Sequence, residues 1–564
     1  MKLEPAISRR CRRFALVLGL AFAAASTAQA QESAPPVSGV SYAEPAVDSP
    51  APEGAPPQGR SRARTRIDPY LEVAQVVSAE LDGGDTLTYT SIAAGVDGRV
   101  ETRRVTVQMS YRYQRNIEWE GDVGDQDVHS GIATVGVQVI PGALQLEAGA
   151  LATRTGGEGR ALGATDRDES VEVYSAYAGP TLSTHAGPVA VNASYRLGYV
   201  AIDDDSLTGG PREDFDSAVA HSATASAGMA PGRLPVGWTV GAGYARTESD
   251  SEFDHESEGT YVRGDVVVPI SATFAVTAGV GYENIEASQL DIARDANGIP
   301  VVGADGRPVA DPSRPRVLTY DIAGIIYDAG IIWRPSARTE LQARAGHRYG
   351  GTTFVGSLSH QFSPNTGMSV VVYDTVETFG NLLVNDLSNL PDDFQVDRDP
   401  LTGNLGGCAF GADPGSGVCF DRALQSIRGN TFRMRGASLV VSGDRGLWSW
   451  GVGAGYAHRR YGRPQDSAFD VFGSNEDDTI GLFGSVSRRL SRTSQIDFDT
   501  YASWFDTDLA GFDTVVSTGA SLSYNRTFLL DRLRLIAALG LDHNDDGTFD
   551  STIVSALLGL RYTF

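Results

Sequence analysis

The sequence predicts an all-β fold, a large antiparallel transmembrane β-barrel of about 22 strands, within a range of about 16–24. Three observations support this prediction: an N-terminal export signal, repeated segments in which apolar and polar residues alternate, and connectors that are alternately short and long. Successive side chains of a β-strand point to opposite faces, so alternation predicts strands with one apolar and one polar face. Whether lipid or another layer of protein covers the apolar face then distinguishes a membrane protein from a soluble one.

Residues 1–30 have the composition of a cleaved secretory signal peptide. Lys2 and four arginines precede the apolar run FALVLGLAFAAAS, which is too short to span a bilayer, and AQA before Gln31 is a small-residue cleavage site. Residues 31–66 are rich in Pro, Ala, Gly and Ser without periodicity, and they are predicted to be a disordered periplasmic linker. The barrel is predicted over residues 67–564.

Alternation continues to the last residue without a break in composition. The final segment, STIVSALLGLRYTF, places Val554, Leu558, Leu560 and Phe564 on one parity, whereas Ser555, Gly559 and Arg561 occupy the other. The polar parity of such segments suits a wet lumen, and the apolar parity then faces lipid. We therefore predict location in the cell outer membrane, surrounded by outer-membrane lipid and lipopolysaccharide. A soluble all-β repeat protein is the alternative.

Charge and motif content argue against several functions, although a Ser/His/acid group assembled across strands stays an alternative. The formal net charge is −24, and removal of the predicted signal, with five cations and one anion, leaves −28. Such acidity argues against a nucleic-acid partner, which requires a basic face. The eight histidines lie outside G-x-S-x-G and H-E-x-x-H motifs, so no catalytic residue, no cofactor and no enzymatic activity are predicted.

The connectors have the asymmetry of an outer-membrane barrel, with short periplasmic turns and long external loops. Short turns are predicted at 141–143, 231–235, 334–338, 363–367, 491–494 and 529–532. Longer acidic loops are predicted at 119–127, 156–169, 203–216, 289–316, 380–431 and 462–478.

The chain resembles Gram-negative outer-membrane porins. Its end, LGLRYTF, with Phe564 last and Tyr562 two residues before it, is similar to the terminal-strand signal that the barrel assembly machinery recognises, and this implies that partner during biogenesis. The Pro-rich arm, RIDPYLEVAQ and the long barrel resemble the β-barrel porin 2 family over residues 67–564. This resemblance implies no catalytic residue, and some members of the family are associated with exopolysaccharide export.

Arginines on the polar parity are candidates for the wall of a pore. They are Arg104, Arg112, Arg196, Arg344, Arg348, Arg459, Arg534 and Arg561. Arginines on the wall and carboxylates on an inserted loop would create a transverse field that favours anionic or sugar-like solutes. In the alternative interpretation, the same arginines form salt bridges with Glu147, Glu283, Asp328, Asp497 and Asp499.

The loop over 380–431 contains Cys408 and Cys419, the only cysteines that follow the predicted signal. In an exported chain this spacing predicts a disulfide, with a metal-binding pair as the alternative. The segment FDRALQSI is predicted to add one helical turn. Two positions of the loop stay open: folded inward as a constriction of the lumen, or exposed at the surface.

One acidic turn near the C-terminus resembles half of a calcium-binding loop. DHNDDGTFD supplies Asp542, Asn544 and Asp546, but Ile553 occupies the position of the bidentate glutamate, and strands flank the turn. An acidic hairpin turn is therefore the prediction, and a weak metal site is the alternative.

Taken together, the sequence predicts a porin-like channel for passive diffusion of small hydrophilic solutes. Two alternatives stay open: a conduit associated with exopolysaccharide export, whose periplasmic partner would bind the 31–66 arm, and a non-conducting structural or surface-binding barrel. About 36 residues between signal and barrel are too few for a globular plug domain, which argues against an energy-coupled receptor.

Overall fold

Twenty-two strands of the chain form one closed antiparallel sheet. The computed structural model describes residues 64–564 except 82, 85, 122–125, 157–169, 204–214, 304–307, 465–475, 509–512 and 548–549. Neighbouring strands in the sequence pair with one another, and the first strand pairs with the last, with Tyr70 opposite Thr563 and Glu80 opposite Ile553. The predicted fold, an antiparallel barrel of about 22 strands, is confirmed.

The barrel strands fall into three runs along the chain. The first run is β1 (Arg64–Glu80), β2 (Thr86–Glu101), β3 (Val105–Glu120), β4 (Gln126–Ile140), β5 (Leu144–Thr155), β6 (Val171–Ala186), β7 (Val189–Asp203), β8 (Ser217–Met229), β9 (Gly237–Asp250), β10 (Glu256–Pro269) and β11 (Phe274–Gln289). After the loop hairpin of β12 (Asp291–Ile292) and β13 (Ala310–Asp311), the second run is β14 (Val317–Ser336), β15 (Thr339–Arg348), β16 (Gly351–Ser363) and β17 (Thr366–Glu377).

A long connection separates the second run from the third. It contains α1 (Phe379–Ser388), β18 (Phe394–Arg398), β19 (Leu405–Gly411), β20 (Gly417–Cys419) and α2 (Asp421–Leu424). The third run is β21 (Phe432–Arg445), β22 (Trp448–Tyr461), β23 (Glu476–Arg489), β24 (Ser494–Thr507), β25 (Val515–Phe528), β26 (Leu533–Asp545) and β27 (Asp550–Thr563). No helix in the described part of the chain has the length and apolar character needed to span a membrane.

The alternation of the sequence becomes two different faces of the sheet. In β1, Leu71 and Val73 are each about half exposed on the outer face, whereas Tyr70 and Val76 are buried on the inner face. The same outer band continues in β27, where Leu558 and Leu560 are exposed. A closed sheet pairs its backbone internally and therefore tolerates hydrocarbon around it, so the apolar band is the lipid-facing surface.

Short turns and both ends of the barrel domain lie at the same end of the barrel. Each of the six predicted short turns lies at this end, for example the turn at 141–143 between β4 and β5. Phe564 also lies there and donates its backbone N–H to the carbonyl of Pro69, and its ring packs edge-on against Tyr562. The long connections lie at the opposite end, which the asymmetry of outer-membrane barrels identifies as external.

The barrel begins slightly before its predicted boundary, because β1 starts at Arg64. Residues 1–63 lie outside the described residues, so the signal peptide (1–30) and the linker (31–66) stay predictions for almost all of their length. The predicted loops 156–169, 203–216 and 462–478 also lie mostly outside the described residues.

Candidate functional site in the barrel lumen

The long connection, residues 378–431, folds into the barrel, and we call it the lumen insert. It enters with α1, whose N-cap is Thr378: the Thr378 hydroxyl accepts a hydrogen bond from the backbone N–H of Asn381. The helix residues from Phe379 to Leu387 are all buried. A helix that is buried on every side must be enclosed by protein, and here the enclosing surface is the inner wall.

One side of α1 packs on the inner wall of β5–β9. Leu383 and Leu387 share an apolar cluster with Val173 and Val200 of the wall. Gly198 permits this close approach, because a Cβ there would lie 2.4 Å from a methyl carbon of Val384. The absence of a side chain at Gly198 therefore lets α1 pack directly on the wall.

The opposite side of the lumen insert contacts β17 and β21–β23 through a buried ionic network. Arg422 donates Nε–H to Asp386 at 3.1 Å, and its guanidinium lies 5.1 Å from the ring centre of Tyr373. Arg459, fully buried on β22, pairs with Asp477 at 2.9 Å and also donates to the carbonyl of Arg422. Burial opposes the charged form of Arg422, but the Asp386 carboxylate outweighs it and raises the pKa of Arg422 above its usual range, so the guanidinium stays protonated; burial also raises the pKa of the Asp386 carboxyl.

A disulfide joins Cys408 of β19 to Cys419 of β20. Its sulfur atoms lie against Gly453 of the wall, and Phe410 lies against Gly451. Further along, the carbonyl of Pro414 lies so close to Gly367, at the short-turn end of β17, that an added Cβ would be 2.1 Å away. The lumen insert therefore extends from the external end of the barrel to its periplasmic end.

A third set of contacts ties the lumen insert to the walls of β2–β4. Arg398 donates to backbone and hydroxyl oxygens of Ser110 and Ser130 and to the carbonyl of Gly403, all of them neutral. Because the guanidinium is buried, its pKa is lowered to about 10. Asp393 pairs with Arg99 near the periplasmic end.

These contacts decide between the two positions that the sequence left open for the loop. The loop is folded inward, and α2 supplies the helical turn predicted for FDRALQSI. The cysteines form a disulfide with each other, and not a metal pair.

The candidate wall arginines occupy two kinds of position. Those on strands carry the inward parity: Arg112, Arg196, Arg344, Arg348, Arg459, Arg534 and Arg561. Arg104 instead lies in the turn before β3, because the Thr102 hydroxyl accepts hydrogen bonds from the N–H groups of Arg104 and Val105 and ends the turn there. Arg104 therefore belongs to the periplasmic rim, and not to a strand of the wall.

Most of the wall arginines are paired with carboxylates, as the alternative interpretation expected. Arg196 lies 3.6 Å from Glu147, and Arg348 lies 3.0 Å from Glu283. Arg344 contacts Asp328, but also Asp265 at 2.7 Å, which the sequence analysis did not single out. Asp497 instead accepts hydrogen bonds from Ser487, Gln495 and Asn525. Wall arginines are therefore mostly neutralised.

The acidic motif near the C-terminus is divided between a strand and a loop. Asp542 and Asn544 lie on β26, and Asp546 follows the end of that strand. The Asp542 carboxylate accepts a hydrogen bond from the Tyr501 hydroxyl at 2.8 Å. Within the described residues, no group of three or more His, Cys, Asp or Glu side chains is arranged to hold a metal ion.

A cavity of about 120 Å3 lies between the lumen insert and the wall of β17 and β21–β23. Its lining includes Tyr373, Asn385, Arg422, Gln425, Gly455 and Thr479. A Cβ built on Gly455 would have no heavy atom of the described residues within 4 Å, so this glycine faces open space. The lining is mostly apolar, with polar groups contributed by Asn385, Arg422, Gln425 and Thr479, and the volume accommodates several water molecules.

The apolar outer band, the closed sheet and the polar interior decide the class of protein. The chain is an outer-membrane β-barrel. No family model matches the chain, and no curated protein matches it. The resemblance to the β-barrel porin 2 family therefore stays a prediction.

Solved structures similar to this chain are also large barrels. The FrpB iron transporter from Neisseria meningitidis is 11% identical over 88% of this chain and 82% of that chain, with a TM-score of 0.44. The siderophore receptor PiuA from Acinetobacter baumannii is 11% identical over 89% of this chain and 82% of that chain, with a TM-score of 0.42. The ferric-catecholate import receptor Fiu from E. coli K12 is 9% identical over 88% and 82%, with a TM-score of 0.43. At these values the likeness carries no argument about function.

Proposed function

We propose that the protein is a constricted diffusion channel that admits small hydrophilic solutes through the outer membrane, without a catalytic step. The observation that carries the proposal is the open space beside Gly455, between the lumen insert and the wall, which Asn385, Arg422, Gln425 and Thr479 line with polar groups. Barrel width grows with strand number, so a barrel of 22 strands without an insert would be wide. The lumen insert narrows it to a size that excludes large solutes.

The position of the lumen insert weighs against the two alternative functions. A polysaccharide conduit needs a continuous wide lumen, and the ties through Asp386, Arg398 and the disulfide hold the insert across it. A non-conducting barrel does not require an inward glycine that faces open space, as Gly455 does. Conductance separates the channel and the conduit from a non-conducting barrel, and a pulldown with the 31–66 arm tests for the periplasmic partner that a conduit requires.

Planar-bilayer conductance of the full purified chain tests the proposal. We expect discrete channels in the wild type and at least a twofold higher conductance when residues 385–428 are replaced by a short Gly-Ser linker. Gly455→Trp is expected to reduce the wild-type conductance. Gly324→Trp is the matched control, because Gly324 is also an inward glycine of the wall with no heavy atom of the described residues near its Cβ position. Absence of channels in the wild type, or no effect of the replacement, contradicts the proposal.

A further inference from the structure

A cluster of arginines lies where the first and last strands of the barrel meet. Arg112 of β3 donates Nη2–H to Glu72 of β1 at 2.9 Å, and Arg561 of β27 lies 3.3 Å from the other oxygen of the same carboxylate. The Arg561 guanidinium is stacked 3.4 Å from the ring centre of Tyr70. Tyr70 in turn lies over Gly95, where a Cβ would be 2.3 Å from its ring.

Two further arginines join this cluster, which we call the seam cluster. Arg534 of β26 is directly opposite Arg561 in the strand register, and both carry the inward parity. Arg398 reaches the same region from the lumen insert, and its electrostatic neighbours include Arg112 and Arg561. Beside Glu72, the nearby carboxylates are Asp97, 3.9 Å from Arg561, and Asp497, an electrostatic neighbour of Arg534.

The seam cluster has more positive than negative charge. Arg112, Arg398, Arg534 and Arg561 carry four positive charges, whereas Glu72, Asp97 and Asp497 carry three negative ones. Asp97 is already engaged by the Ser110 hydroxyl at 2.7 Å, and Arg398 has only neutral acceptors. The cluster therefore has an excess of one positive charge in a chain whose formal net charge is −24.

Several donors of the seam cluster also lack acceptors. Tyr70 is 2% exposed and Arg112 is 6% exposed, yet the Tyr70 hydroxyl and the Arg112 Nε–H have no hydrogen-bond partner among the described residues. Buried donors without acceptors are costly, and native proteins normally supply partners. Arg534 is exposed towards the lumen, and its electrostatic neighbours are Arg561 and the carboxylates of Glu72, Asp97 and Asp497.

Two other groups of arginines on the wall have balanced charges. On β10, β14 and β15, Arg263 and Arg344 face Asp265 and Asp328, two charges against two. Arg196 has Glu147 for itself. The seam cluster differs from these two groups in its excess of positive charge.

We propose that the seam cluster is a binding site for an oxyanion, the carboxylate or phosphate group of a small solute that enters the lumen. This inference rests on the proposed channel function and names its substrate class. Guanidinium groups bind such anions through paired, charge-assisted hydrogen bonds. Exposed Arg534 makes the first contact, and Arg561, held flat by Tyr70 and Glu72, completes the site. Asp97, whose side chain is 45% exposed, shows that the cluster opens to the lumen.

Calorimetric titration of the full detergent-solubilised protein tests the site without a membrane. The probes are inorganic phosphate and acetate at neutral pH, in separate arms that distinguish a phosphate from a carboxylate ligand. We expect saturable binding of at least one anion by the wild type, and at least tenfold weaker binding by Arg534→Gln. Arg534 is exposed, so its replacement leaves the fold intact. Arg196→Gln is the control, because it removes one lumen charge outside the cluster and is expected to bind within twofold of the wild type.

The outcomes separate this inference from the channel proposal. Saturable binding that depends on Arg534 supports the site even if the protein conducts no ions, in which case only the channel proposal fails. Conductance without saturable binding of either anion overturns the site and leaves the channel. Equal weakening by Arg534→Gln and Arg196→Gln also overturns it, because binding would then follow total charge.

Discussion

Gly453 of β22 lies directly against Cys408 of the lumen insert: an added Cβ would be 2.6 Å from the Cys408 sulfur and 2.8 Å from that of Cys419. Two strands of the insert are therefore held against the wall where the wall has no side chain. Gly455, two residues further along the same face, faces open space instead. The insert therefore covers the wall at Gly453 and leaves it uncovered at Gly455.

Gly453→Val is expected to displace β19 and β20 from the wall. Extra methyl groups in a packed site destabilise it by about 1–3 kcal/mol. Hydrogen exchange of the β19 and β20 amides should therefore quicken by roughly tenfold or more, since opening free energies set exchange rates. Gly455→Val is the control and should leave this exchange within about twofold of wild type. Equal exchange in both variants would contradict the assigned packing.

Asp386→Asn is expected to loosen the lumen insert strongly. The Asp386 side chain is 1% exposed, and its removal leaves the Arg422 guanidinium without its counter-ion. Breaking a buried pair on one side destabilises by about 3–5 kcal/mol, whereas exposed pairs contribute about 0–1 kcal/mol. Hydrogen exchange of α1 measures the loss. Asp127→Asn, which breaks the exposed pair with Arg115, is the control and should have little effect on the hydrogen exchange of α1. A small effect of Asp386→Asn would show that the pair does not hold the insert.

The barrel could be predicted from the sequence because a period of two is a local signal. Each strand repeats it, because alternate side chains point to lipid, as Leu71 does, or to the barrel interior, as Tyr70 does. The same alternation predicts Arg104 on the wall. In the structure, the N–H groups of Arg104 and Val105 donate to the Thr102 hydroxyl, so Arg104 belongs to the turn and β3 begins at Val105. Boundaries depend on such single hydrogen bonds, which alternation does not record.

The position of the lumen insert could not be predicted from the sequence, because it depends on contacts between residues far apart in the chain. The apolar spacing in NLLVNDL, with Leu383 and Leu387 four residues apart, was the available signal for a buried helix. Three arginines of the seam cluster are among the predicted wall arginines, but their carboxylate partner Glu72 is not predicted, although it lies on the inward parity of β1. An acidic residue at an inward position of a strand indicates that an arginine of a neighbouring strand pairs with it.

Leu387→Ala tests how far the apolar cluster, and not the ionic network, holds α1. Leu387 is fully buried between α1 and the wall. Loss of such a side chain typically destabilises by about 2–5 kcal/mol, through lost burial and the cavity left behind. Single-channel recordings should then show a noisier and higher conductance, and α1 amides should exchange faster. Leu529→Ala, at an exposed periplasmic turn, is the control. If both variants behave as wild type, the ionic ties alone hold the helix.

Acidification is expected to loosen the external end of the lumen insert at His255. This side chain lies in the turn between β9 and β10, against Gly429 of the insert, and Arg316 faces it. Burial, with a smaller contribution from Arg316, lowers the pKa of His255 to about 4 from its usual value near 6.5. The folded state therefore binds fewer protons than the open state between these values. The stabilisation is complete above about pH 6.5 and declines as the pH falls towards 4.

Between pH 7 and pH 5 this contact should lose about 1–2 kcal/mol, since one pKa unit corresponds to about 1.4 kcal/mol. Hydrogen exchange over residues 425–431, corrected for the intrinsic pH dependence of exchange, measures the change in protection. His255→Gln keeps a polar side chain that does not titrate, so its protection should be the same at both pH values. A wild-type protection that does not fall at pH 5, or an equal fall in His255→Gln, would assign the pH response to other groups.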